Sequence, residues 1–290
     1  MGLSIEIEDI DENGKPTIII TEKNHNMKPI KINPIIYKLL LDCNEVILNC
    51  NADIINHLPD NIETIQLGEI LYYEYKSIEK YPKNLKKIIM YGKFDKYLAT
   101  LPMGLETLII DTKIECDLNN LPPTIKHLEL DSIDCNGTIE YPVGLKYLKL
   151  NTNNFEHVAN LPPTLETFIL IINSNDNRIF KTKITQPINY SRFSDNINSL
   201  PNNIKSLKLY FDIIPYRDIK INRLPEQLEL LNIDYCHIDY FNLTKLPETL
   251  NKITVNYMYN YGDDISFTDF QTVFTSLKPD IEIVRCLNTY

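Results

Sequence analysis

LPPTIKHLEL, residues 121–130, is the stretch whose reading decides the fold. Counting from Leu121 as zero, apolar residues fall at offsets zero, four, seven and nine: Leu121, Ile125, Leu128 and Leu130. A Pro follows the opening residue. The same phrase recurs along the chain. Its first copy runs from Leu58 and Pro59 through Ile62 and Ile65 to Leu67, and the others open at Tyr81, Leu101, Leu121, Tyr141, Leu161, Leu200, Leu224 and Leu246. The five openings from Tyr81 to Leu161 are each twenty residues apart. A fixed period in this range marks a solenoid, a stack of short coils that share one core.

Offsets seven and nine are two apart, which is the alternation of a β-strand. Leu128-Glu129-Leu130 and Leu148-Lys149-Leu150 are such strands. Pro at offset one lacks an N–H and fixes φ, so it marks the corner that leads into each coil. Twenty residues must carry the chain to the next parallel strand. A crossover takes about a dozen residues, leaving little room for a full helix on the return. A single coil cannot support itself. Its four apolar residues contribute roughly 1.5–3 kcal/mol each when buried. Ordering twenty residues costs about 1–2 kcal/mol per residue in backbone entropy. Neighbouring coils and special caps must cover the apolar ends.

Offset five reads Glu63, Lys86, Glu106, Lys126, Lys146, Glu166, Lys205, Glu229 and Asn251. The signs mostly alternate. Stacked one strand spacing apart, such residues form a charge ladder worth about 0.2–1 kcal/mol per pair that penalises slipped registers.

These residues resemble the leucine-rich repeat. LPPTIKHLEL has the LxxLxL core of that family, with Ile in one Leu place. The Pro-led form LPxxLxxLxL is similar to the FNIP repeats of slime-mould and giant-virus proteins and to the short repeats of bacterial effectors. The Phe-containing lead-ins FEHVANLPPTLETF (155–168) and FNLTKLPETLNKI (241–253) favour FNIP. The resemblance covers residues 58–255. It departs from the family at the Asn/Cys ladder, where at offset twelve only Asn153, Asn173 and Cys236 fit. The resemblance implies a right-handed curved solenoid. Short parallel strands would line its concave face. The convex side would be mostly irregular or single-turn, with little helix except near the ends.

Residues 1–57 read as an N-terminal cap. Residues 3–10 and 17–22 are two strands joined by Asp-Glu-Asn-Gly-Lys-Pro, a hairpin signal. Asn33 and Pro34 can start a short helix through Leu41. Leu39, Val46 and Leu48 also fit a degenerate repeat, and the two readings overlap at Leu39 to Leu41. Residues 58–260 hold the repeats and 261–290 a C-terminal cap. There Ser266 can cap a helix carrying Phe267, Phe270, Phe274 and Leu277, Pro279 stops it, and Ile281 and Ile283 suggest a final strand. The widest gap between openings, 39 residues, separates Leu161 from Leu200. The insertion at about 173–197 is rich in Asn and Ser and carries Arg178, Lys181, Lys183 and Arg192. It is either a long loop, suited to an acidic partner, or a decayed repeat containing Gln186-Pro187-Ile188.

A net charge of −10 disfavours nucleic acid and anionic membranes as partners. No run of about 18 apolar residues suggests a membrane span. The opening MGLSIEIEDIDENGKP has neither the basic start nor the apolar run of a secretory signal. Gly2 invites an N-myristoylation reading, but Glu6 stands where that motif takes Ser or Thr. The six cysteines (Cys43, Cys50, Cys116, Cys135, Cys236, Cys286) form no CxxC pair and read as reduced thiols. The expected location is the cytoplasm, or the host cytoplasm for a viral chain. The sequons at Asn136, Asn189 and Asn242 matter only in a secreted chain.

Offsets six, eight and ten point away from the core on the strand face. There Tyr147, Ile169, Ile171 and Tyr210 are expected to form an exposed apolar and aromatic patch, the kind of surface that marks an interface. Asp111, His127, Glu129 and Asp131 cluster in adjacent copies. Their residue types suit acid–base work or a metal, but the face is open and lacks a nucleophile, and Asp111 and Asp131 better suit a basic residue of a partner. No HExxH, P-loop or dinucleotide glycine motif is present. The expected function is therefore non-enzymatic, with no cofactor: a protein-interaction module that binds a protein on the concave strand face. The resemblance adds a second reading, the substrate-recognition adaptor of a ubiquitin ligase, with ligase subunits as partners. A third, an enzyme or metal site at His127, Glu129 and Asp131, is weaker.

Overall fold

The computed structural model describes residues 3–10, 12, 14–22, 32–50, 52–68, 78–92, 95–114, 117–133, 135, 137–152, 154–173, 190–212, 220–234, 240–256 and 267–286. The chain forms a parallel-strand solenoid of the leucine-rich-repeat type and packs as two compact units, Met1–Cys135 and Asn136–Tyr290.

In the first unit β1 (Leu3–Ile10) lies antiparallel to β2 (Pro16–Glu22). Five parallel strands follow in order: β3 (Glu45–Asn49), β4 (Thr64–Leu67), β5 (Lys87–Met90), β6 (Thr107–Ile114) and β7 (His127–Ile133). The second unit holds six parallel strands: β8 (Tyr147–Thr152), β9 (Thr167–Asn173), β10 (Ser206–Asp212), β11 (Leu230–Asp234), β12 (Lys252–Asn256) and β13 (Glu282–Cys286). The register matches repeat to repeat: Leu108 stands opposite Leu128, and Leu148, Phe168, Leu207, Leu231 and Ile253 form one row.

The corner at each Pro is a β-turn. In all nine copies the Pro carbonyl accepts from the N–H three residues on, at 3.0 Å (Leu145 to Pro142) to 3.4 Å (Ile62 to Pro59). A proline has no N–H donor to leave unsatisfied there. The residues at offsets four, seven and nine are then buried in every copy, from Ile62, Ile65 and Leu67 to Leu250, Ile253 and Val255.

The coils are joined by more than their strands. In each unit the offset-five N–H donates to the offset-five carbonyl of the coil before, as in Lys126 to Glu106 (2.8 Å) and Lys205 to Glu166 (2.8 Å). The charge ladder runs beside these bonds. Lys86 meets Glu63 and Lys126 meets Glu106, each at 3.1 Å, while Glu166 lies between Lys146 (2.6 Å) and Lys205 (3.6 Å). Hydrogen bonding to Lys146 and the charges of both lysines hold the Glu166 carboxyl below its ordinary range. These side chains are exposed, so the ladder specifies register more than it adds stability.

A second interlock uses offset three. The Thr124 hydroxyl donates to the carbonyls of Met103 (2.6 Å) and Leu105 (2.7 Å), Thr164 to Val143 (2.6 Å) and Leu145 (2.9 Å), and Thr249 to Glu226 (3.0 Å) and Leu228 (2.7 Å). Asn61 does the same with its amide toward Leu40 and Cys43. Lys278 replaces it in the last coil, reaching the carbonyls of Glu248 and Leu250. Of the three residues that fit the family's offset-twelve ladder, Asn153 and Cys236 lie outside the described residues, and Asn173 ends β9. In the described coils side-chain bridging runs through offset three at these copies, and also through Asn56 and Asn198, whose amide oxygens accept from the N–H groups of Glu79 and Lys80 and of Asn222 and Arg223 in the next coil.

The outer side carries short stretches of 3₁₀ helix at Ala52–His57, Asp95–Thr100 and Phe155–Val158. Near the N-terminus a helix occupies the residues where the two readings overlap. Asn33 caps α1 (Pro34–Leu40), accepting from the N–H groups of Ile35 (3.0 Å) and Ile36 (2.9 Å). β3 follows with Val46 and Leu48 buried. The helix shifts the opening of this coil by one residue, so Leu40 enters the core and Leu39 stays exposed.

The Leu161–Leu200 gap adds no strand among the described residues, because β9 pairs directly with β10 from Thr167–Ser206 to Asn173–Asp212. Its described part is α2 (Tyr190–Asn198), a helix in the interior of the chain. Gln186-Pro187-Ile188, Arg178, Lys181 and Lys183 lie outside the described residues. At the C-terminus α3 (Phe267–Leu277) buries Phe270 and Phe274, which stack at 6.2 Å and meet Phe241 edge-on, and β13 follows. Ser266 lies outside the described residues.

Cys43 and Cys50 are buried thiols. Burial pushes the Cys43 thiol up to about 11 and that of Cys50 higher still. Only a thiolate reacts with alkylating reagents. In folded protein at neutral pH neither should be labelled by iodoacetamide, and both should be labelled after unfolding. Labelling of either in folded protein, read by peptide mass mapping, would remove it from the core.

Candidate functional site

On each strand the residues between the buried ones point to the other side of the sheet, because successive side chains alternate. That side is the strand face, and all eight residues singled out from the sequence lie on it.

Four are on β6 and β7 in the first unit. Thr107, Ile109 and Asp111 stand opposite His127, Glu129 and Asp131. His127 and Glu129, two apart on one strand, are joined by a 2.8 Å contact from Nε2 to Oε1. Asp111 is exposed, and the other three are half-buried. The structure thus brings the acidic cluster together on two adjacent strands. It supplies no third ligand at metal distance: among the described residues no group of three His, Cys, Asp or Glu side chains is placed to hold a metal ion. Like charges directly opposite, Asp111 and Asp131, cost stability.

The other four are in the second unit, on β8, β9 and β10. Ile171 stands directly opposite Tyr210, and Ile169, two residues earlier on β9, lies between Lys149 and Lys208. Tyr147 stands opposite Thr167 at the near end of the same face. All four are half-buried rather than fully exposed. The result is a low apolar ridge with lysines on both sides of Ile169.

The same face contains a feature the alternation does not reveal. Asp234, at offset ten on β11 and so outward by pattern, is only 4% exposed. Lys208 Nζ lies 2.7 Å from its Oδ2, and the Asn256 amide donates to its Oδ1. Asp234 stands opposite Tyr210 on one side and Asn256 on the other. A buried carboxylate gripped by a lysine and an amide anchors the three strands beside the apolar ridge.

A buried histidine was also missed. His157, in the 3₁₀ turn Phe155–Val158, is fully enclosed. Its Nδ1 meets the Thr152 hydroxyl at 2.7 Å, its Nε2 meets the Asn154 amide at 3.3 Å, and its carbonyl accepts from the Tyr141 hydroxyl at 2.6 Å. With both ring nitrogens engaged, it pins the turn to β8 and is not presented to a substrate. No described helix is long and apolar enough to cross a membrane.

No family profile matches the chain, and no curated protein matches it. A solved structure similar to it is the leucine-rich repeat-containing protein LegL7 from Legionella pneumophila. It is 13% identical with a TM-score of 0.43, over 79% of this chain and 84% of that one. Likeness at that level carries no argument about function, so the assignment to a leucine-rich-repeat-type solenoid rests on the nine Pro turns, the repeat-to-repeat register and the buried offsets described above.

Proposed function

We propose that the chain is a non-enzymatic protein-interaction module that binds a partner protein on the strand face of its second unit. The observation that carries this reading is the contiguity of Ile171, Tyr210 and Ile169 on the solvent side of a sheet whose other side already holds the core. Apolar and aromatic side chains gathered there gain from being covered, and Tyr is favoured at the centre of interfaces. Tyr147, Lys149 and Lys208 form the rim. Asp111, His127, Glu129 and Asp131 offer a basic partner residue an acidic contact in the first unit. In this reading the chain works in the cytoplasm, where thiols such as Cys43 and Cys50 stay reduced. The FNIP kinship rests on the Phe-containing lead-ins, whose Phe155 and Phe241 are both buried.

The test compares wild type with the Ile171→Asp/Tyr210→Ala variant in crosslinked capture from the native cell, alongside thermal unfolding. The variant should lose a partner that wild type holds. It should cost no more than about 2 kcal/mol of stability, because both side chains are already partly in water. A partner retained by the variant sinks the reading. Loss of the folded state would mean that the ridge belongs to the core.

A further inference from the structure

The first unit leaves a different surface without a partner. β1 pairs with β2 alone among the described strands, so from Leu3 to Ile7 its far edge presents N–H and C=O groups that no described strand takes up. Ile5 and Ile7 stand opposite Ile20 and Ile18, on the core side of the sheet. Ile18 and Ile20 are buried, whereas Ile7 is 62% exposed. The apolar layer therefore runs out under β1 instead of being closed over. On the other side Ser4 and Glu6 stand opposite Thr21 and Ile19.

Edge strands are usually protected by Lys, Pro, a bulge or a covering segment. β1 has no Lys and no Pro. Its irregularity comes late: three steps of β1 from Ile7 to Ile10 match two of β2 from Ile18 to Pro16. Leu3 to Ile7 thus remains a regular template. Its charges are of one sign. Glu6 and Glu8 are exposed, and neither has an ion-pair partner among the described residues. A second copy of β1 placed along this edge would set glutamates against glutamates, which is unfavourable. A strand carrying cations there would be drawn in.

We infer that β1 is a docking edge for an extended segment of a partner protein in which basic and β-branched apolar residues alternate. The segment adds one strand to the sheet. Its main chain takes up the N–H and C=O groups of that edge. Its Lys or Arg side chains lie on the side of Glu6, and its apolar side chains extend the core layer over Ile5 and Ile7. This surface is separate from the strand face of the second unit, and the inference does not depend on the function proposed there.

The probe is a fluorescein-labelled nine-residue peptide of alternating Lys and Val, titrated with the full chain at low ionic strength and read by anisotropy. Two controls accompany it: a twin with Glu for Lys, and a version N-methylated at alternate residues, which keeps the charges and removes backbone donors. The Lys/Val peptide should bind and both controls should not. Glu6→Lys/Glu8→Lys should weaken binding about tenfold, since two favourable charge pairs become repulsive. Ile7→Lys, at a position already open to water, should weaken it as well. The Ile171→Asp/Tyr210→Ala variant should bind as wild type does. Equal binding of the N-methylated peptide would mean mere charge attraction and would overturn the inference. So would unchanged affinity in Glu6→Lys/Glu8→Lys, or a self-associated wild type that excludes the peptide.

Discussion

Phe168→Ala should destabilise the second unit by about 3–5 kcal/mol. Phe168 occupies offset seven, where other copies carry Leu or Ile, and it is among the largest fully buried side chains. It stands between Leu148 on β8 and Leu207 on β10, both fully buried. Truncation removes most of a ring from a row in which each member packs on the one before and the one after. The strands cannot close the gap, because their spacing is set by backbone bonds on both sides. Urea unfolding would measure the loss. Phe168→Leu restores the consensus residue at this offset and should recover more than half of it. A loss near 1 kcal/mol for Phe168→Ala would mean that the row is loosely packed and that the repeat register has been misread.

The second large effect is expected at Lys208. Lys208→Met keeps the aliphatic stem and removes the ammonium 2.7 Å from Asp234. The Asp234 carboxylate stays enclosed, with the Asn256 amide as its remaining side-chain donor in the trio. Breaking a fully buried pair from one side costs about 3–5 kcal/mol. The Lys208 side chain is 36% exposed, so water offsets part of this, and about 2 kcal/mol is expected. The double variant Lys208→Met/Asp234→Leu should recover most of that loss, since an apolar pair of similar size replaces two charges that no longer need solvating. A double-mutant cycle with chemical denaturation decides between this and a simple packing effect. If the double variant is no more stable than Lys208→Met alone, the carboxylate was not the source of the cost.

Much of this architecture can be read from residue order. Ile125, Leu128 and Leu130 announce their burial by spacing alone, because a strand admits one period and a Pro turn fixes where it starts. The ladder from Glu63 to Lys86, and from Lys146 through Glu166 to Lys205, follows from the same register. Other features are hidden for physical reasons. The clamp at offset three is carried by Thr124 and Thr164 but skipped at Gly104 and Gly144, so it does not look like a period. Helix α2 is rich in Ser, Asn and Asp, residues that favour turns when isolated. It is held by contacts far away in sequence: the Asn196 amide on the Phe155 carbonyl (2.6 Å) and the Ser194 hydroxyl accepting from the Lys220 N–H (2.9 Å). Alternation also marks Asp234 as outward, and only the neighbouring strands enclose it. Period alone sets the strand-face residues opposite the buried ones. Their half-buried state depends on the size of side chains in flanking coils, which a single copy does not encode.

The offset-three clamp and the offset-five bonds share a direction. In each the donor belongs to the later coil and the acceptor to the earlier one, from Asn61 reaching Leu40 to Lys278 reaching Leu250. A chain emerging from the ribosome meets this order as a timetable. A finished coil waits with carbonyls, which water solvates readily, and each newcomer arrives with the hydroxyl and amide protons that complete its predecessor. Growth is thereby polar, like masonry laid in courses, each course completing the one beneath it.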